Sequence, residues 1–314
     1  MTTLTQPPEA APPAVAAAVA HDRRPRLVRW WDNPWRPPRF LQAITLGYLV
    51  WSLLPVIIAV LFSFNAGRSR TVWQGFSFRW YWGDTQRSVW HDASLHTALE
   101  HTFLLGIVTT AICVPLGVMF ALGVDRWHGR LPTGASVVML LSFVIPETLL
   151  AVALLFLVNE VTTPLQLGTS AQVAGLVTFQ LSYPVVIVRA RLLTIGKHYE
   201  QAAIDLGASQ LGAIRRVLLP LLAPAIFASA VLVFADVIDD FVIVRYLSGD
   251  ASTEPASVKI YNTARAAPTP ALNALATVLL VASFAAVLIG LVVYRRLRRG
   301  ERDKSDLERF TGGV

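Results

Sequence analysis

Six apolar runs, separated by short polar stretches, dominate residues 40–298 of this sequence. They cover approximately residues 41–64, 102–124, 136–158, 173–193, 222–246 and 272–294. The first holds about 24 residues, about 36 Å as an α-helix, which spans a hydrocarbon core of about 30 Å with some tilt. The pattern predicts an all-α fold class: a polytopic membrane protein with six transmembrane helices. Pro115, Pro146, Pro184 and Pro224 interrupt the runs. Membrane helices tolerate such breaks where neighbouring groups recapture the freed carbonyls.

Composition points the same way. Of 314 residues, 54% are apolar and 15% charged, with a mean hydropathy of +0.53, whereas soluble domains hold about 45–50% apolar and about 25% charged residues. Cys113, the only cysteine, lies inside an apolar run, so an intramolecular disulfide and a Cys-based metal site are excluded. Residues 1–22 are rich in Ala and Pro, with no basic start before an apolar core. A disordered tail is expected there in place of a cleaved signal peptide. Residues 23–39 interleave six arginines with Trp30, Trp31 and Trp35, a composition suited to the lipid headgroup layer. The expected organisation is a disordered, basic and aromatic tail over 1–39, a six-helix membrane domain over 40–298, and a C-terminal tail over 299–314.

Lys and Arg also orient the chain. With the N-terminus in the cytoplasm, twenty of them fall on the cytoplasmic side. Seven fall outside: Arg68, Arg70, Arg79, Arg87, Arg245, Lys259 and Arg265. Cytoplasmic loops carry this excess, so both termini are expected to be cytoplasmic. The basic residues gather beside apolar runs, so the net charge of +7 reads as membrane anchoring and no nucleic-acid partner is expected. Residues 65–98, rich in Trp, Tyr and Arg, then form an extracytoplasmic cap, either anchored at the interface or contacting a substrate or partner.

The loop over residues 194–220, between the fourth and fifth runs, reads as a short amphipathic helix, a stop at Gly207 and a second helix meeting the membrane at Pro220. Ala202 and Ala203 offer a small-residue surface for close approach of another protein. Gly207 supplies a turn that a Cβ would resist. Arg215 and Arg216 are placed to meet anionic headgroups.

Charge inside the runs is the second unusual feature. Asp236, Asp239 and Asp240 lie at spacing i, i+3, i+4 in the fifth run, which places them on one helix face, and Glu147 follows Pro146 in the third. Each ionised carboxylate in a span costs roughly 2.5–3.5 kcal/mol, so the group calls for water, cations or Arg partners. Two roles fit: lining a path for a cation, or capping a helix break and pairing with Arg245. The six histidines are scattered. His96 and His101 are five apart, a poor spacing for a helical metal pair, so they read as surface residues and no metal site is expected.

The 194–220 loop resembles the cytoplasmic signature of permease subunits of binding-protein-dependent ABC importers, Glu-Ala-Ala-x3-Gly-x9-Ile-x-Leu-Pro. Ala202, Ala203, Gly207, Leu219 and Pro220 fall at matching positions, with Val217 in place of Ile. The Glu position is held by Gln201, with Glu200 just before it, so either Glu200 substitutes or Gln201 pairs neutrally. The resemblance implies the type I permease fold and a coupling helix, formed around Glu200, Gln201, Ala202, Ala203, Asp205, Gly207 and Pro220, that docks on a separate ATPase. It also implies the partners: an ATP-binding cassette ATPase dimer, which uses ATP and Mg, a second permease subunit and an extracytoplasmic solute-binding protein. The implied location is the bacterial inner membrane.

Through most of residues 40–298 the chain looks most like the second permease of spermidine/putrescine importers. Gly75-Phe76-Ser77-Phe78-Arg79-Trp80-Tyr81, Asp239-Asp240-Phe241-Val242-Ile243, Val258-Lys259-Ile260-Tyr261 and Asn273-Ala274-Leu275-Ala276-Thr277 carry that likeness. It implies a polyamine substrate, for which Glu147, Asp236, Asp239, Asp240 and Tyr261 are the candidate pathway residues; the Asp239-Asp240 pair occurs in that subfamily, whereas Asp236 stands where an apolar residue is expected. Importers for iron(III), phosphonates or other organic solutes share parts of the pattern.

Other classes need features that are missing. Gly196-Lys197-His198 lacks the upstream Gly and the hydroxyl of a phosphate loop, so ATP hydrolysis and a bound cofactor are not expected of this chain. Neither His-Glu-x-x-His nor Gly-x-Ser-x-Gly occurs, against a membrane enzyme. A secondary transporter would share the spans, but it has no need of the Ala-Ala-x3-Gly loop.

Overall fold

The computed structural model describes residues 39–69, 71–126, 129–161, 165–266 and 269–311; the tail expected over residues 1–39 lies, but for Arg39, outside them. The chain divides at Pro55 into two units, residues 1–55 and 56–314. The described part of the first unit is the start of helix α1 (Arg39–Ser63). There Thr45 and Ser52 return their hydroxyls to the carbonyls of Leu41 and Leu49, at 2.8 and 3.0 Å. Phe40, Leu46 and Trp51 are exposed, as side chains whose solvent is lipid should be.

The second unit begins with the end of α1 and a cap that Asn65 organises. Its Nδ2 donates to the carbonyls of Ser69 and Val72, its Oδ1 accepts from the Gln74 amide, and its carbonyl accepts from the indole of buried Trp80 at 2.6 Å. Phe64 packs on Phe76, Phe78 and Tyr81 with ring centroids 5.2–5.4 Å apart. In the π-helical turn Arg79–Gly83, the guanidinium of Arg79 donates twice to Asp84 and holds that carboxyl below its usual range.

The rest is helical: α2 (Ala93–Arg126), α3 (Arg130–Val144), α4 (Glu147–Glu160), α5 (Thr169–Gln180), α6 (Ser182–Ile195), α7 (His198–Asp205), α8 (Gln210–Ala213), α9 (Leu219–Asp239), α10 (Val242–Leu247), α11 (Ala256–Ala266) and α12 (Pro270–Thr311). Leu181 keeps helical dihedrals (−56°, −31°), so α5 and α6 run on as one span. Among the described residues five helical segments are long and apolar enough to cross a membrane: Phe40–Ser63, Ala93–Arg126, Thr169–Ile195, Gln210–Asp239 and Pro270–Arg296.

Two apolar runs depart from the sequence expectation. The third run, expected as one helix over 136–158, is broken into α3 and α4. Pro146 has no N–H and forces Ile145 into an extended conformation (−64°, 127°). The halves have 15 and 14 residues, about 22 Å each and short of a bilayer core. The fifth run, expected over 222–246, stops at Asp239; Asp240 is extended (−57°, 133°) and α10 starts afresh. The second run starts earlier than expected, because α2 begins at Ala93, nine residues before Thr102.

Helix α9 is central, packing on α2, α6 and α12. Close approach depends on small residues, as between membrane helices generally. A Cβ on Gly106 would lie 3.0 Å from the Phe234 ring, and one on Gly117 2.5 Å from Pro184. Around these points run three apolar clusters: Trp80, Leu95 and Leu275 near the cap, Leu105, Val233 and Ile243 in the middle, and Val118, Val188 and Leu218 at the far end.

A polar hub sits inside this packing. Gln172, fully buried, accepts from His101 Nε2 at 2.8 Å and offers its amide to the Val244 carbonyl, the Ser248 hydroxyl and the Thr253 carbonyl. Because the amide nitrogen faces acceptors, the oxygen faces His101, which fixes the imidazole proton on Nε2. His101, read from sequence as a surface residue, is 7% exposed. The sequence did carry a signal, since a His and a Gln inside apolar helices need each other. Replacing Gln172 by Leu orphans at least two buried polar groups at about 1–3 kcal/mol each. Gln172→Leu should therefore lower the thermal unfolding midpoint of the detergent-purified protein, while exposed His198→Ala leaves it unchanged.

Candidate functional site

Two regions hold the residues singled out by sequence. The first is the 194–220 loop, at the opposite end of α2 from the cap. Gly196 leaves α6 with φ +71° and leads into α7, which ends at Asp205. Gly207 has φ +90°, a left-handed conformation that side chains with a Cβ resist. It lets its own amide reach the Ile204 carbonyl (2.8 Å) and the Ala208 amide reach that of Ala203 (3.0 Å), closing the helix end as a glycine stop does. Ser209 then caps the next turn, its hydroxyl accepting from the Gly212 amide at 3.1 Å.

The expected second helix is not uniform. After α8 the chain widens into a π-helical turn, Ile214–Leu218, before α9. Pro220 cannot donate to the carbonyl four residues back, and the Leu219 amide reaches Ile214 instead. Gln201, Ala202, Asp205 and Gly207 are exposed, and so are the large apolar side chains Tyr199, Ile204, Leu206 (89%) and Leu211. Glu200 differs: its carboxylate turns inward to Arg126 at 2.5 Å.

The second region forms where the two helix breaks meet. Helix α10 packs on α4, and this brings Glu147, the first residue of α4, within hydrogen-bonding reach of the Asp240 carboxyl. Asp240 also holds the break itself. Its Oδ1 accepts from the Val244 amide at 3.1 Å, and its carbonyl accepts from the Ser257 hydroxyl at 2.6 Å. The shared face expected for three aspartates thus holds only for Asp236 and Asp239, because Asp240 lies beyond the helix end. Asp236 is close enough to Asp239 and Asp240 for their charges to interact.

Sequence reading missed Gln180 and Tyr183. Gln180 is fully buried and donates Nε2 to Asp236 Oδ2 at 2.6 Å, while its Oε1 is buried without a partner. Tyr183 lies within electrostatic range of Asp236 and Glu147. Both residues are unremarkable in a sequence; only the fold carries α5 and α6 past α9. Tyr261 joins the region's edge, its ring 4.9 Å from Phe241 with Arg265 over its face at 4.4 Å. Among the described residues no Lys or Arg side chain pairs with Glu147, Asp236, Asp239 or Asp240, so the pairing with Arg245 is not formed. Four carboxyl groups with this little compensation, two of them close enough to share a proton, make a strong local attraction for a cation.

Residues 113–303 match the family described as binding-protein-dependent transport system inner membrane component. The chain is 31% identical over 247 residues to the spermidine/putrescine transport system permease protein PotC of Escherichia coli (strain K12), a match covering 79% of this chain and 90% of the relative. Against the PotC protein of Haemophilus influenzae (strain ATCC 51907 / DSM 11121 / KW20 / Rd) it is 30% identical, covering 82% and 98%. Against the putrescine transport system permease protein PotI of E. coli K12 it is 28% identical, covering 90% and 97%. Its fold is similar to a chain of a bacterial ABC transporter involved in the import of the acidic polysaccharide alginate, with a TM-score of 0.67 at 15% identity, covering 82% of this chain and 95% of the other.

Proposed function

The chain belongs to the family of binding-protein-dependent transport system inner membrane components, and from that membership we propose that it forms half of the translocation path of an ATP-driven importer for a polyamine. The observation that carries the choice of solute is the carboxylate cluster at the meeting of the two helix breaks. An alkyl ammonium brings three N–H donors, for which the carboxyls of Glu147 and Asp240 and, beside Asp236, Gln180 Oε1 supply acceptors. Asp236 and Asp239 extend the negative potential toward a second ammonium on the same solute. Phe241 offers an aromatic face that attracts such groups, and Tyr261, whose own face holds Arg265, stands beside it. The PotC and PotI relatives bear polyamine names and agree with this choice.

Coupling is assigned to the 194–220 loop. The positive-inside rule sets this loop, both termini and residues 125–133 in the cytoplasm, facing the ATPase dimer. There ATP and Mg are held by the partner subunits. The exposed surface of Tyr199, Gln201, Ala202, Ile204, Leu206 and Leu211 is apolar with one amide and little charge, a composition suited to burial in a protein groove. A second permease subunit completes the path, and an extracytoplasmic binding protein delivers the solute on the cap side. ATP-driven closure of the ATPase dimer pushes the loop and changes which side the carboxylates face.

Reconstitution of the full complex with its binding protein tests the reading. ATP-dependent uptake of labelled spermidine or putrescine is the expected result; transport of iron(III) or phosphonates without polyamine uptake would assign the other solute. Asp240→Asn keeps the cap on α10, since Asn caps as well as Asp, but removes the charge. Uptake should fall about 10–100-fold, the equivalent of one charge-assisted hydrogen bond of about 1.5–3 kcal/mol, with complex assembly intact. Gly207→Val should cut uptake to less than about a tenth while membrane insertion stays normal, because the left-handed turn costs a residue with a Cβ about 1–2 kcal/mol and misplaces α7. Immunoblotting of membranes beside the uptake assay separates these outcomes.

A further inference from the structure

The ion pair at the foot of the loop has no part in the mechanism above. Arg126 is the last residue of α2. Its Nη1 meets Asp125 Oδ2 at 2.7 Å, and its Nη2 meets Glu200 Oε1 at 2.5 Å. The three side chains keep only 23%, 14% and 12% of their accessibility, so this is no solvent-washed surface pair. A planar guanidinium can hold two carboxylates in a fixed geometry, which an ammonium cannot do.

The surroundings give the pair a mechanical meaning. Helix α7 buries no residue of its own and packs on the residues that follow it, 210–218. Its covalent connections are compliant: Gly196 on one side (φ +71°) and Gly207 on the other (φ +90°). A helix held only through such joints would tilt when pushed. The Arg126–Glu200 pair attaches it instead to α2, a helix of 34 residues. Along α2, Gly106 lies against Phe234 and Ile238 of α9, and Leu105 shares a cluster with Val233 and Val237. Those residues interleave with Asp236 and Asp239.

We propose that Arg126 is a positioning residue that ties the coupling helix to α2, so that movement of α7 reaches the carboxylate-bearing helix about 30 Å away along α2 and not only through the chain into α9. Glu200 is thereby committed within the permease, and Gln201 is the residue left to face the ATPase. The proposal rests on the ATP-coupled reading above.

The test uses the complete transporter in proteoliposomes, with Arg126→Gln, Glu200→Gln, their double variant, and the exchanged pair Arg126→Glu/Glu200→Arg. Each single variant should retain the ATPase subunit and ATP hydrolysis while solute moved per ATP falls about tenfold, within the usual range of 5–150-fold for coupling between sites. The double variant should be no worse than either single one, as for two residues acting as one unit. The exchanged pair should recover to within about threefold of wild type, because charge complementarity is restored in reverse. Wild-type uptake per ATP in both single variants overturns the proposal. Loss of the bound ATPase in Glu200→Gln but not in Arg126→Gln also overturns it, since Glu200 would then be the contact to the ATPase.

A second measurement does not depend on transport. Spin labels at Gly123→Cys on α2 and Leu206→Cys beyond α7, in a Cys113→Ala background, report their separation in the purified complex. The distribution should be narrow with Arg126 present and broad in Arg126→Gln; equal widths refute the tie whatever the uptake shows. Failure of the wild-type complex to transport with ATP would refute the importer reading alone.

Discussion

Lipid gives a broken helix nowhere to place its free backbone groups, and the centre of this molecule is organised around that constraint. Pro146 breaks one apolar run and Asp240 another. The second is closed by the Asp240 carboxylate on the Val244 amide and by the Ser257 hydroxyl on the Asp240 carbonyl. The helices beyond the two breaks, α4 and α10, pack together. Irregular backbone at membrane depth persists where protein or a water-filled cavity surrounds it, so the location of the breaks is also the location of the polar interior. Glu147 and Asp240 follow from the same geometry: each stands where a helix begins, and backbone amides pointing out of a helix start favour a negative charge.

The same logic explains the polar residues buried toward the cap. Gln172 spends its amide on three acceptors from two other segments and its oxygen on His101, and the Thr102 hydroxyl accepts from the Ala256 amide at 2.8 Å while donating to Ala98. These bonds lock α2, α5, α10 and α11 in register at one end. At the other end α7 is flanked by two glycines, packs on residues 210–218 and meets α2 through one ion pair.

Much of this was legible in the sequence. Apolar runs predicted the helices because lipid imposes a length and a composition, and Gly207 predicted a turn because a positive φ excludes most other residues. Carboxylates inside apolar runs marked a candidate site because an ionised group is costly in lipid. What could not be read was adjacency in space. A period of 3.6 placed Asp236, Asp239 and Asp240 on one face, but a period assumes an unbroken helix, and the Asp240 side chain serves the start of the next one. Gln180 and Tyr183 gave no local sign, since their role arises from α5 and α6 passing α9. The pairing of Glu200 with Arg126 spans 74 residues of sequence, and from sequence alone Glu200 was as plausible an outward contact as Gln201.

That pairing bears on how a coupling loop tolerates losing its signature carboxylate. A charged residue facing a partner has to be desolvated on docking, and its Coulombic gain often does no more than offset that penalty. Gln201 keeps donors and an acceptor for the partner without a charge to desolvate. The negative charge sits one residue earlier, on Glu200, where Arg126 pairs with it. In the proposed coupling, Gln at position 201 leaves a docking surface of apolar side chains, one amide and the exposed Asp205, and the loop is tied to α2 through Glu200 and Arg126.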